Sequence, residues 1–399
     1  MQKIRLKLTV LSISILQPLI MGASPVLADI KKTFPDIDTS IIMLLVSLPL
    51  LFTIPATLLC GKLSGKYSQR KILLFGIALT SISGIIPVFS DNFLFILLSR
   101  VFMGIGLGFI NPFMASLIVE FFKGGEREQL FGLQSTFVCI GSVTYFFLGG
   151  LLGAVNWHYN FLVFLIGILI LPLIILYLPD RHVSCESAAS VSRVSRYTLF
   201  FCLLVFLIAI FASFFTTRLS FLLAEKKAGN AAIAGIVSMF TSVGGLVLGM
   251  VYGKLSGKIS TFSIELAVCL MGAGTITAGL AHSVGIMMLA SALLGTGSTL
   301  SVIAFQSKIA SISQKISYNF EVAIFMSSIN LGLSAAPGYM SVATGLVPSI
   351  DNTGLYLLTA ALLFTYAILL GLFNPNLKKK LAYKKIGEIN KGGKYDKVN

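Results

Sequence analysis

Arg100 is the residue of this chain best placed to do chemistry inside an apolar segment. It lies about seven residues into an apolar run from 93 to 119, on the order of 10 Å deep at about 1.5 Å per residue. A charge at that depth is costly unless it faces a wet cavity or a partner. At about 100° per residue, Arg100, Gly104 and Asn111 fall near one helix face, which predicts one wall of a solute cavity. The neutral polar residues Gln17, Gln134, Tyr145 and Asn330, also in mid-segment, are the other expected hydrogen-bonding groups of that cavity. Two alternatives stay open: the Arg100 head can snorkel to the headgroups, and each amide can bond a neighbouring helix instead.

Carboxylates inside the apolar runs are few. Asp29 closes the first run, Glu120, Glu265 and Glu321 stand at run ends, and none occupies a run's middle. Asp29 is therefore the candidate for proton coupling, its alternative being a helix-end group in water. His158, His182 and His282 share no ligand spacing, and Cys60, Cys139, Cys185, Cys202 and Cys269 form no CxxC pair, so neither metal nor disulfide is expected. No GxxxxGK[ST] phosphate cradle and no Ser–His–Asp arrangement is present. The chain is expected to be no enzyme and to hold no cofactor and no metal.

The elements that must carry these residues follow from composition. With 56% hydrophobic and 11% charged residues and a mean hydropathy of +0.92, the chain has too few polar groups to cover a water-soluble globule. Its solvent is the lipid bilayer, where the backbone must satisfy itself, so apolar runs near 20 residues mean spanning helices. Such runs fall at roughly 8–28, 40–60, 72–89, 93–119, 131–152 and 161–178, and again at roughly 197–217, 230–252, 262–281, 284–304, 320–346 and 354–373. The basic loop GKLSGKYS at Gly61–Ser68 returns as GKLSGKIS at Gly253–Ser260, about half the 399-residue chain later. Two tandem six-helix units are thus predicted: residues 1–178 and 197–373, with a linker over 179–196 and a basic tail over 374–399. The second-half counterpart also makes the first run a helix of this bundle rather than a cleaved signal peptide.

The net charge of +15 sits at run ends and in the tail, a topological pattern that offers no nucleic-acid surface. Of the 30 Lys and Arg residues, all but Lys31, Lys32, Arg100, Arg218, Lys226 and Lys227 fall in one alternate set of loops and both termini. Both termini and the two repeated loops are therefore expected to face the cytoplasm.

Twelve helices in two halves, with GKLSGKYSQRK between the second and third, resemble the major facilitator superfamily over about residues 8 to 373. That loop is similar to the family's signature at Gly61, Leu63, Lys66, Arg70 and Lys71, although Gly65 and, in the second copy, Gly257 stand where the family has an acidic residue. The resemblance makes Gly61, Leu63, Lys66, Arg70 and Lys71, with Gly253, Lys254 and Lys258, a cytoplasmic gate. Gly61 and Gly65 would allow the tight turn, and the basic side chains would bond helix-end carbonyls or nearby acids. RVFMGIGLG from Arg100 resembles a second signature, in which Gly104 and Gly108 permit close packing; the second half has Ser291 in the arginine's place. YFFLGGLLG keeps the Gly149–Gly150 pair of the family's antiporters but has Tyr145 and Phe146 where those have Gly-Pro.

The resemblance implies an all-α membrane protein of the major facilitator fold in a cell (inner or plasma) membrane, working by alternating access. The expected function is secondary active, proton-coupled efflux of a small organic solute by a monomer, with protons, the solute and lipid as its partners. A solute importer is the first alternative, and a non-transporting membrane sensor is the alternative of another class.

Overall fold

A computed structural model describes residues 2–64, 66–180, 196–259, 262–312, 318–347 and 349–373. It is built of α-helices joined by short turns. Their order is α1 Gln2–Ser14, α2 Leu27–Thr33, α3 Thr39–Leu63, α4 Gln69–Ile85, α5 Phe93–Phe121, α6 Gly125–Val155 and α7 Ile166–Tyr177. The second half runs α8 Arg196–Glu225, α9 Ala231–Ile259, α10 Ser263–Leu280, α11 Val284–Ile312, α12 Tyr318–Ser334, α13 Ala336–Leu346 and α14 Asn352–Phe373. Three 3-10 segments, Gln17–Val26, Ile86–Val88 and Trp157–Leu165, interrupt or open the helices of the first half.

Among the described residues ten helical spans are long and apolar enough to cross a membrane, and the pair Lys3–Ser14 and Gln17–Thr33, bent by 43°, supplies an eleventh. The shorter apolar helix α12 is followed by α13, the two meeting at Ala335. Both breaks have a proline behind them, because its ring nitrogen cannot donate to the preceding turn. Pro18 stands where α1 gives way to the 3-10 segment, and Pro337 stands where α12 gives way to α13. The runs over 8–28 and 320–346 are thus broken helices rather than the continuous ones their hydropathy predicts.

The buried apolar residues gather in two main clusters. One runs from Val10 to Leu178 and takes in Phe221, Ala231 and Met340; the other runs from Cys202 to Ala367. The halves share the same close helix packing, of α3 on α5 and of α9 on α11. A Cβ on Gly104 would lie 2.3 Å from the Pro49 carbonyl oxygen of α3, and a Cβ on Gly295 would lie 1.8 Å from the Thr241 carbonyl oxygen of α9. A threonine hydroxyl closes each contact, Thr53 onto the Gly104 carbonyl and Thr296 onto the Gly244 carbonyl, both at 3.2 Å.

On one side of the seam between halves α3 lies against α12 and α13, and the other side runs along α6 and α9. At one end it is tight: a Cβ on Gly150 would lie 2.8 Å from Gly235 Cα, and one on Gly235 would lie 2.2 Å from the Phe146 carbonyl oxygen. Further along, Cys139 Sγ lies 3.5 Å from the Ser242 carbonyl oxygen. At Gly132, toward the other end of α6, an added Cβ would meet nothing.

Candidate functional site

Between the halves lies a cavity of about 240 Å³. Helix α8 supplies most of one wall through Val205, Ile208, Ala209, Ala212, Ser213 and Thr216, whose three-and-four spacing is a single helical face. Pro18 and Met21 of the broken first span, Ser142 and Phe146 of α6, Thr241 and Ser242 of α9, residues of α11 from Leu294 to Val302, and Ile329 and Leu333 of α12 complete it. Its lining is apolar with interspersed hydroxyls and, among the described residues, has no charged side chain.

None of the six residues expected from the sequence to line a cavity is among these. Gln17 is exposed and its neighbour Pro18 lines the wall; Asn330 is half-buried and its neighbour Ile329 lines it. Tyr145 is buried against Gly22 with its hydroxyl unpartnered, while the next residue, Phe146, reaches the cavity. Gln134 and Asn111 are half-buried, and Asn111 Oδ1 has no protein partner. The sequence thus identifies the right stretches on three helices and the wrong faces, because mid-segment position says nothing about rotation around the helix axis.

Arg100 corrects the expectation more sharply. It is 1% exposed and points into the first bundle. Its Nη2 donates to the carbonyl oxygens of Ser83 (3.2 Å) and Gly84 (2.9 Å), and its guanidinium lies 5.0 Å and 5.2 Å from the ring centroids of Phe161 and Phe164. A buried charge is here compensated by backbone dipoles and aromatic faces instead of water.

The glycines and loop residues have specific settings. Gly104 and Gly108 pack on α3, and Gly150 packs on α9. Gly149 leaves room for Asn160, whose Nδ2 donates to the Gly22 carbonyl oxygen at 3.0 Å. Asn160 is completely buried and escaped the sequence reading. Gly61 is an ordinary helical residue of α3 with open space around it, so the expected need for glycine in a tight turn does not hold there. Arg70 donates to the Ile175 carbonyl in the last turn of α7. Leu63 packs at the edge of the first core, whereas Lys66 and Lys71 are exposed. Gly253, Lys254 and Lys258 lie in the last turns of α9, where the side chains fall outside the described residues.

Two carboxylates differ in setting. Asp29 pairs with Lys32 of its own helix at 2.7 Å and is part-exposed; its described partners do not include Arg100. Glu321 is 2% exposed and accepts a 2.6 Å hydrogen bond from the Thr198 hydroxyl, joining α12 to α8.

Ten to eleven membrane-length spans among the described residues, with a cavity between the two halves, define a polytopic membrane protein. Residues 9–337 match the Major Facilitator Superfamily, and the chain belongs to that family. It is a transporter, not an enzyme. The chain is 23% identical over 334 residues to a protein of Helicobacter pylori described as a probable sugar efflux transporter, covering 79% of this chain and 82% of that one. It is 27% identical over 124 residues to an uncharacterized transporter of Rickettsia bellii, covering 31% of each. Among solved structures it resembles the POT family transporter PepTSo (TM-score 0.74, 12% identity, 94% of this chain and 98% of that one). It also resembles the human organic anion transporter MFSD10 (TM-score 0.60, 15% identity, 91% and 97%).

Proposed function

We propose that this chain exports a small uncharged organic solute across a cell membrane, drawing on the proton gradient and working by alternating access. The observation that carries this reading is the cavity itself. A site built for an ion would place an opposite charge or convergent dipoles in its wall, and this wall offers hydroxyls and hydrocarbon. The sugar-efflux description of the Helicobacter relative supports both the direction and an uncharged cargo.

The seam supports the cycle. With both termini cytoplasmic, as the distribution of Lys and Arg favours, the tight Gly150–Gly235 end faces outward and the Gly132 end faces the cytoplasm. The structure then corresponds to a form closed on the outside, and export requires the Gly150–Gly235 contact to part. Arg70, holding the end of α7 beside the repeated loop, belongs to the cytoplasmic gate.

Coupling falls to a carboxylate. Asp29 is part-exposed and Glu321 is buried between two helices that both wall the cavity, so Glu321 is the better proton carrier of the two. The reading is tested in everted membrane vesicles with radiolabelled sugars, with and without an imposed proton gradient. Gradient-dependent uptake into such vesicles is the expected result, and gradient-independent equilibration of every solute removes the coupling.

A further inference from the structure

We infer that Ser213 and Thr241 form a two-donor subsite that reads hydroxyl groups of an uncharged polyol; this rests on the reading of the chain as an exporter. The two come from different helices, α8 and α9, and both line the cavity. Ser213 is 1% exposed, and neither Ser213 Oγ nor Thr241 Oγ1 has a protein hydrogen-bond partner. A buried hydroxyl without a partner is costly and is retained where something else supplies the bond.

Four other hydroxyls of the wall are already committed as donors, and Ser242 donates to no described acceptor. Thr216 donates to the Ala212 carbonyl oxygen (3.2 Å), Ser142 to that of Val138 (3.1 Å), Ser298 to that of Gly295 (3.0 Å) and Ser301 to that of Ser298 (2.7 Å). Each keeps lone pairs free. The cavity therefore presents three uncommitted donors, the buried Ser213 and Thr241 with Ser242 beside them, among several acceptors.

A solute that fits must accept from the first and donate to the second, and a chain of hydroxyl groups does both. A carbonyl compound supplies no donors, and an amine or carboxylate would be buried without a countercharge. Pro18, Met21, Phe146 and Leu294 offer the hydrocarbon against which the C–H face of a polyol packs. The volume of about 240 Å³ suits a small polyol.

The test uses the full chain in proteoliposomes with an imposed proton gradient and four labelled probes: mannitol, a deoxy-mannitol, gluconate and ethidium. Wild type is expected to carry mannitol in preference to the deoxy compound and to reject gluconate. Ser213→Ala and Thr241→Val should each raise KM for mannitol about three- to tenfold with kcat little changed. One of the two should also narrow the preference over the deoxy compound, a readout that a packing defect would not move. Ser213→Thr, which keeps the hydroxyl, should retain that preference, and melting temperatures identify any variant that misfolds. Unchanged mannitol KM in both folded variants overturns the subsite. Transport of ethidium without mannitol overturns the subsite and leaves an exporter standing, whereas flux of none of the probes overturns both.

Discussion

Arg100 Nη2 lies 2.9 Å from the Gly84 carbonyl oxygen and 3.2 Å from that of Ser83, the two acceptors left open by Pro87. A residue at that position would donate four residues back to Ser83 in an α-helix, or three back to Gly84 in a 3-10 turn, and proline donates to neither. Arg100 supplies the missing donor from the neighbouring helix. Asn160 does the same for the first span: Pro25 leaves the Gly22 carbonyl open, and Asn160 Nδ2 fills it. The second half solves its own helix end differently. There Lys226 donates to the carbonyls of Gly279 and Ala281, the latter at 2.9 Å, and its burial holds the ammonium below the usual lysine range. That leaves no need for an arginine at Ser291.

Arg100→Ala should therefore destabilise the bundle by about 1–3 kcal/mol, the cost of buried acceptors left unmade. Arg100→Lys should recover part of that loss, because it keeps the charge and loses the planar fork. Pro87→Ala should restore some stability to Arg100→Ala by returning a backbone donor. Melting in detergent measures all three, and a wild-type melting point for Arg100→Ala would refute the role. The KM for solute should stay unchanged in whatever fraction remains folded.

Close packing makes a second, opposite pair of expectations. Gly104→Ala and Gly295→Ala place a methyl group against backbone carbonyls and should cost about 1–3 kcal/mol each. Gly61→Ala meets open space inside a helix and should be neutral or stabilising by up to about 1 kcal/mol. Thermal stability of the three purified variants decides it; a Gly61→Ala protein less stable than Gly104→Ala would contradict the packing described.

Hydropathy made the spans legible because burying a backbone in lipid needs long apolar runs whatever the neighbours are. The repeated loop marks a tandem repeat in the sequence itself, since a duplicated unit keeps its spacing. The wall of the cavity was harder. Gln17 and Asn330 lie next to lining residues yet do not line the wall themselves, because hydropathy along these helices carries no strong sided pattern and lipid and interior faces look alike. Arg100 was found and misread: its partners are carbonyl oxygens, which every residue has. Ser213 and Thr216 were visible as hydroxyls in an apolar run, and their alignment with Val205, Ile208, Ala209 and Ala212 was the available signal.

The α6–α9 contact predicts a conformational trap. Gly150→Leu puts a side chain where Ala231 and Gly235 backbone atoms now stand, so the closed outer end cannot form. Transport should be lost while folded yield is kept. In a cysteine-free background, Ser220→Cys, buried here, should react faster with an impermeant thiol reagent added outside when Gly150→Leu is also present. Equal labelling in both backgrounds would show that this seam does not control the outer opening.

The coupling assignment separates two carboxylates by one substitution each. Glu321→Gln keeps the shape and removes the titration, so the variant should still exchange labelled solute across vesicles at equilibrium while failing to concentrate it against a gradient. Exchange needs the cavity, and concentration needs the proton. Thr198→Val, which deletes the hydroxyl that donates to Glu321, should weaken accumulation and alter its pH dependence without abolishing exchange, since it perturbs the carboxylate but leaves it ionisable. Asp29→Asn releases Lys32 from its pair and should leave accumulation within about twofold of wild type, an exposed pair being worth about 0–1 kcal/mol. Full gradient-driven accumulation in Glu321→Gln, with its loss in Asp29→Asn, would return the proton to the first span and make Glu321 a structural link between α8 and α12.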